Sequence, residues 1–225
     1  MYDYGLCLDK NDIALFQEEV VLWYKANGRS FSWRTQELNE WKWLVLEILL
    51  KKTRAETVDK HYEVFINKYD TPKKLHLACI EELESDLKKF GLYKQRIEAL
   101  KLIAAAVVND YECSVGDYLL NTDLKEMKHV GLYTYNAVQC FHFGKRVQLV
   151  DVNIARIITR FLDIGMPKDL RSNWIWCMAG MFLPLEDYID YNYGLLDMGA
   201  LICKKKPFCT ACPLFARCTS AGKYR

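Results

Sequence analysis

Apolar residues along this chain return at intervals of three and four, the period of helices with one buried face. Asn11 reads as the N-cap of a first helix with Ile13, Phe16, Val20 and Trp23 on one side, and Asn27-Gly28 stops it. A second, strongly apolar helix is expected from Asn39 to Arg54, and Val58, Tyr62 and Phe65 mark a third. Thr71-Pro72 opens a fourth with proline at the first helical position. Gly91 interrupts the pattern, and Leu100, Ile103, Ala104 and Val107 restore it. No stretch alternates apolar and polar residues long enough to form a strand, and no tight hairpin signal occurs. The expected fold class is therefore all-α.

One pair of predicted helices has chemical meaning. A helix over Asp117–Glu126 and another over Tyr133–Phe143, stopped by Gly144, flank the turn Met127-Lys128-His129-Val130-Gly131-Leu132. Such a turn presents backbone N–H groups at the positive end of the following helix, which suits a phosphate without reading sequence. It is equally the shape of an ordinary helical hairpin.

Two carboxylates stand in apolar company. Glu47 lies within Trp43-Leu44-Val45-Leu46-Glu47-Ile48-Leu49-Leu50, and Asp151 within Val147-Gln148-Leu149-Val150-Asp151-Val152-Asn153-Ile154. Burying a carboxylate is costly unless it is paired or hydrogen-bonded. Each has a plain structural reading: Asp151 as cap of a helix running from about Asn153 to Phe161, and Glu47 on the wet edge of its helix.

Composition sharpens this picture. The 225 residues are 51% hydrophobic, enough for a folded core, while no apolar run reaches the roughly 18 residues that span a bilayer. The polar, acidic N-terminus shows no secretory signal, so a cytoplasmic setting is expected. The formal charge is only +2, but basic residues cluster at Lys51, Lys52 and Arg54, at Lys94 and Arg96, at Lys145 and Arg146, and at Lys204–Lys206. Distribution matters more than the sum for a polyanionic partner.

Of the nine cysteines, Cys7, Cys79, Cys113, Cys140 and Cys177 are scattered and are expected to be mostly small buried side chains. The other four, Cys203, Cys209, Cys212 and Cys218, form C-x5-C-x2-C-x5-C within sixteen residues. Tetrahedral zinc and a four-iron cluster both accept four cysteines. One short loop closing on itself, without the paired C-x2-C knuckles of zinc ribbons, suits the bulkier cluster better.

Together these pieces resemble the endonuclease III superfamily of helix-hairpin-helix DNA glycosylases, from about Phe31 to Cys218. Phe31-Ser32-Trp33-Arg34 is similar to the family's F-P-W-R, and Glu47-Ile48-Leu49-Leu50-Lys51-Lys52-Thr53 to its E-I-L-L-x-x-T. Val130-Gly131-Leu132-Tyr133-Thr134 resembles the end of the hairpin motif L-P-G-V-G-x-[KYS]-T. Val150-Asp151-Val152-Asn153-Ile154-Ala155-Arg156 resembles V-D-x-N-x-x-R, and Asp197-Met198-Gly199-Ala200 precedes the cysteine loop as in the family. Two features depart from the pattern: His129 replaces the first hairpin glycine, and the first cysteine spacing is x5 where the family shows x6.

The resemblance implies two helical domains with a DNA cleft between them. A six-helix barrel holding the hairpin would cover 36–145; residues 1–35 and 146–225 would form the second, with a [4Fe-4S] cluster on Cys203, Cys209, Cys212 and Cys218. It implies catalytic roles for Asp151, which would stabilise positive charge on the sugar and help water attack C1′, for Glu47, which would contact the extruded base, and for Tyr133, which would line the pocket. Lys51 would take the wedge position. Lys52, His129, Val130, Gly131, Tyr133 and Thr134 complete the implied DNA contacts. Lysine at the Tyr133 position marks the glycosylase/lyases and serine the adenine enzymes, while tyrosine is typical of archaeal-type enzymes acting on thymine opposite guanine. The chain is also expected to lack the extra C-terminal domain of the adenine enzymes. The implied activity is monofunctional excision of a mismatched base, thymine or uracil opposite guanine, by a monomer acting on double-stranded DNA in the nucleoid. An adenine or modified-base glycosylase, and a non-catalytic cluster-bearing DNA-binding protein, stand as alternatives.

Overall fold

The computed structural model describes residues 9–124 and 126–223; Cys7 lies outside them. The described residues are helical, with no strand among them. No helix among them is long and apolar enough to cross a membrane. Two compact units result: one from residues up to Arg29 together with those from Gly144 onward, the other from Ser30 to Phe143.

The Ser30–Phe143 unit is organised around a helix apolar on every side, as a core helix must be. In chain order its helices are α2 (Ser32–Thr35), α3 (Glu40–Leu50), α4 (Ala55–Lys68), α5 (Pro72–Leu77), α6 (Ile80–Leu87), α7 (Tyr93–Asp110), α8 (Val115–Asn121) and α9 (Leu132–Phe141), numbered to leave α1 for the helix preceding them. Helix α3 buries Trp41, Trp43, Leu44, Val45, Leu46, Glu47, Ile48 and Leu49 and packs against α4, α7, α8 and α9. Val58, Tyr62 and Phe65 of α4 face the core, and Thr71 caps α5 with Pro72 in its first turn, as the pattern predicts.

The unit begins at Ser30 rather than 36, because Phe31 and Trp33 are core residues. Phe31 stacks on Trp33 at 4.7 Å between ring centroids, and Asp59 accepts both the Ser32 N–H and its hydroxyl at 2.8 Å. Helix α3 stops at Leu50, not Arg54: Lys52 turns left-handed (φ 54°) and the Thr53 N–H closes on the Leu50 carbonyl. The hairpin also differs from expectation. Its first helix ends at Asn121, after Ser114 caps it, and the described residues between Thr122 and Gly131 form a longer turn, bonded internally from Glu126 and Met127 to Asp123.

The other unit holds α1 (Lys10–Asn27), α10 (Val152–Leu162), α11 (Asn173–Met181) and α12 (Tyr188–Leu201). Asp9, not Asn11, caps α1, accepting the Asn11 N–H at 2.9 Å. Phe16 of α1 meets Phe161 and Phe182 edge-on, each at 4.8 Å, at the centre of the core. Helix α12 packs on both α1 and α10. Close approach is possible because Gly194 faces Val20 and Gly199 faces Asn153, where an added Cβ would meet heavy atoms at 2.8 Å and 2.5 Å. The end of α1 is fastened by Asp197, fully buried, which accepts the Arg29 backbone N–H at 2.7 Å and its Nε at 2.8 Å. Of the scattered cysteines among the described residues, only Cys140 is buried; Cys79, Cys113 and Cys177 are exposed, since each lies at a helix end or on an outer face.

Gln139 of α9 is 2% exposed, and neither amide atom has a hydrogen-bond partner. An unpartnered buried amide costs about 1–3 kcal/mol. Gln139→Met keeps the volume and removes the polar atoms, so thermal unfolding followed by circular dichroism should shift upward by a few °C; an unchanged or lower midpoint would show that the amide is satisfied in solution.

Candidate functional site

Glu47 is the first element of the site. It lies on the core helix α3, is 3% exposed, and its Oε2 has no hydrogen-bond partner. The wet-edge reading of this residue is thereby excluded. Burial pushes its carboxyl up to about 8, against the opposing charge of Lys51 one turn on. At neutral pH the group is a neutral acid able to donate a proton or a hydrogen bond, the state needed for general acid work.

Lys51, immediately after α3, does not point freely outward. Its Nζ donates to the His129 carbonyl, which ties the end of α3 to the hairpin. Burial pulls its ammonium below the usual lysine range while Glu47 pushes it up. Lys52, exposed like Lys51, sits at the left-handed apex of the turn.

Arg96 holds this turn in shape. It is 3% exposed, so the basic cluster suggested by Lys94 and Arg96 is not a surface cluster. Its Nη2 donates to Leu49 O (3.0 Å), Lys51 O (2.7 Å) and Thr53 Oγ1 (2.6 Å), and its Nη1 to Phe90 O (2.7 Å) and to Gly91 O. Apart from the Thr53 hydroxyl, these are carbonyls that the end of α3 and the 90–91 turn leave without a helical partner. Nothing in the sequence separates such a buried arginine from a solvated one.

The hairpin supplies a helix end. Gly131 is the N-cap of α9 and no side chain caps it, so the first turn of a ten-residue helix carries N–H groups at its positive pole. Val130 and Thr134 are buried beneath, at 2% and 1% exposure, and Tyr133 is half-buried. His129 is left-handed (φ 66°), a conformation costing a non-glycine residue roughly 1–2 kcal/mol. Its Nε2 lies 3.7 Å from Glu98 Oε1.

Asp151, in the other unit, is the N-cap of α10, so the capping reading holds. Oδ1 accepts the N–H groups of Asn153 (2.9 Å) and Ile154 (2.7 Å), and Oδ2 accepts Asn153 Nδ2 (2.8 Å). Burial pushes its carboxyl above the usual carboxylate range, against those hydrogen bonds and the charge of Arg156. Capping fixes the carboxylate's direction without excluding chemistry.

A continuous polar chain leads on from it. Asn153 Oδ1 accepts Arg156 Nη2 at 2.7 Å, Arg156 Nε donates to Cys203 O at 2.7 Å, and Arg160 Nη1 lies 3.5 Å from Cys203 Sγ. Sequence reasoning quoted Asn153 and Arg156 but gave them no role. The signal was their spacing: 153, 156 and 160 follow one another by three and four residues along one helix face.

Cys203, Cys209, Cys212 and Cys218 line one cavity, walled otherwise mainly by Ile157, Phe161, Met198 and Leu214. Among the described residues no three His, Cys, Asp or Glu side chains are grouped as a single-ion site. The four residues share this one cavity instead of being dispersed over the surface. Burial and the neighbouring Cys203, Cys218 and Cys209 push the Cys212 thiol up to about 12, so these groups become thiolates only with a compensating cationic centre. As a donor set they fit a cluster.

With the helices and these groups in place, the chain belongs to the HhH-GPD superfamily of base excision DNA repair proteins, whose match covers residues 45–171. It is 33% identical to a thymine/uracil-DNA glycosylase of Methanothermobacter thermautotrophicus, covering 91% of this chain and 92% of that one. It is 32% identical to a thymine-DNA glycosylase of Aeropyrum pernix, covering 93% and 95% respectively. The structure of a thermostable thymine-DNA glycosylase superposes with a TM-score of 0.84 at 31% identity, over 95% of this chain and 98% of that one.

Glu47 generates a prediction independent of catalysis. From about pH 4.5 to about 8 the unfolded chain has ionised this residue and the folded chain has not, so folded stability is lost as pH rises through that window. Glu47→Gln removes the effect. The melting temperature of wild type should fall relative to the variant between pH 5 and pH 8; parallel curves would mean that Glu47 is ionised in the folded protein.

Proposed function

We propose that this chain is a monofunctional DNA glycosylase that excises thymine or uracil opposite guanine during base excision repair. The carrying observation is Glu47, a buried carboxyl kept neutral with one oxygen unpartnered, for which the α3 core offers no structural use. Near full-length similarity to thymine/uracil-DNA glycosylases, and Tyr133 in place of an amine, support the choice of substrate and the hydrolytic outcome.

The base leaves the stack before its bond is broken, at a cost of a few kcal/mol that a mismatch lowers. Glu47 donates a hydrogen bond or proton to the extruded base. Asp151, held in one direction by three hydrogen bonds, stabilises the positive charge developing on the sugar and assists the water that attacks C1′. Tyr133 lines the base pocket and has no nitrogen with which to form an imine. The uncapped first turn of α9, with Val130, Gly131 and Thr134 shaping it, takes a backbone phosphate. Resemblance assigned the wedge to Lys51. Lys51 and Lys52 are both exposed; Lys51 is bonded to the His129 carbonyl and Lys52 is the left-handed apex of the turn, so Lys52 is a second candidate for the vacated space.

Cys203, Cys209, Cys212 and Cys218 would hold a [4Fe-4S] cluster, which would cross-link the C-terminal loop and compensate the charge of four thiolates. Lys204, Lys205 and Lys206 on the same loop face the phosphate backbone. The protein acts as a monomer on double-stranded DNA in the nucleoid.

A panel of duplexes carrying T, U or A in mismatches tests this assignment. Release of T and U opposite G is expected, with no borohydride-trapped adduct. Adenine release in its place would move the chain to another branch. Asp151→Asn should lower base release by at least about 10²-fold while DNA binding persists; full turnover by the variant would remove Asp151 from the reaction. Protein purified without oxygen should be brown and contain iron, and a Cys212→Ser variant should lose both colour and thermal stability. A colourless, zinc-loaded protein would replace the cluster assignment.

A further inference from the structure

The acid of the Ser30–Phe143 unit and the cation that follows it are kept apart. Glu47 is buried on α3 with one oxygen unpartnered, and Lys51 stands one turn on, where the helix has just ended. Along a helix an ammonium so placed can close on the carboxylate. Here the Lys51 Nζ donates to the His129 carbonyl instead. The end of the helix makes this possible: Lys51 has left helical geometry (ψ 117°) and lines an open cleft with Lys52, Gln95 and His129.

No other charge takes the place of Lys51 among the described residues. The helices packed on α3 bring Tyr62 of α4, Tyr118 of α8 and Cys140 of α9 among their buried residues, none of them a carboxylate or a cation. Helix α7 brings Arg96, whose donors are taken by the carbonyls and the hydroxyl around the two turns. Burial pushes the Glu47 carboxyl up to about 8, and Lys51 is the charge that acts against it.

This separation has a chemical use. A direct ion pair would ionise Glu47 and leave no proton to give, while burial without a cation would hold the proton too tightly. An acid works best when its proton affinity matches the working pH. We propose that Lys51 is a positioning residue for Glu47: its tether to the His129 carbonyl holds the ammonium near the carboxyl but out of bonding contact, so that the acid keeps its proton at neutral pH and gives it up readily to the extruded base. This rests on the reading of Glu47 as the proton donor.

The test reads charge apart from packing. Release of uracil opposite guanine is followed in single turnover between about pH 6 and about pH 10 for wild type, Lys51→Met and Lys51→Arg. The wild-type rate constant should fall as pH rises through about 8, where Glu47 loses its proton. Lys51→Met should move this fall up by about one pH unit and lower the plateau before it. Lys51→Arg keeps the cation and should leave the fall near its wild-type position. Melting temperatures without DNA give a second readout. The gap between Glu47→Gln and wild type should widen with pH and level off at about 8, once the folded carboxyl is also ionised. The gap between Lys51→Met/Glu47→Gln and Lys51→Met should level off about one unit higher. Transitions that stay at the wild-type pH in Lys51→Met, or that move equally in Lys51→Arg, overturn the proposal. Absence of base release from every duplex overturns the proposed reaction, and the melts then still uphold or overturn the link between Lys51 and Glu47.

Discussion

The guanidinium of Arg96 fixes the working end of the Ser30–Phe143 unit. A helix buried on every side ends with carbonyls that cannot reach water, and Arg96 collects those of Leu49 and Lys51 together with those of Phe90 and Gly91. Because one rigid fork serves both turns, the left-handed step at Lys52 and the left-handed Leu92 are held against each other. Lys51 is then aimed at the His129 carbonyl, and the hairpin is joined to the same frame.

The two carboxylates illustrate opposite uses of the same side-chain chemistry. Glu47 is surrounded by hydrocarbon and stays neutral, so it can give a proton. Asp151 is also raised by burial, but two backbone N–H groups and an amide oppose the shift and favour its anion.

Much of this was legible in the sequence because it depends on local pattern. The apolar run around Glu47 announced a core helix, Thr71-Pro72 announced a helix start, and Asp151-Val152-Asn153 announced a cap. What escaped was set by tertiary partners. Arg96 reads as one of several cations until the carbonyls around it are seen, and Phe31 and Trp33 read as a preface until their stacking shows them to be core. The hairpin turn came out longer because Ser114 starts α8 early and the residues after Asn121 bond among themselves instead of continuing the helix. Exposure of Cys79, Cys113 and Cys177 was invisible for the same reason, since a cysteine's place is decided by what packs beside it.

The glycines of α12 bear on how the chain is assembled in time. Gly194 and Gly199 permit close contact with α1 and α10, yet each lowers intrinsic helicity by about 1 kcal/mol relative to alanine. Isolated, this segment is a poor helix, and it gains order by docking on α10 and on α1, the latter far from it in sequence. Contacts of such long sequence separation form slowly. Until α10 and then α12 have left the ribosome, Phe16 and Val20 stay uncovered, as a surface for chaperones to hold.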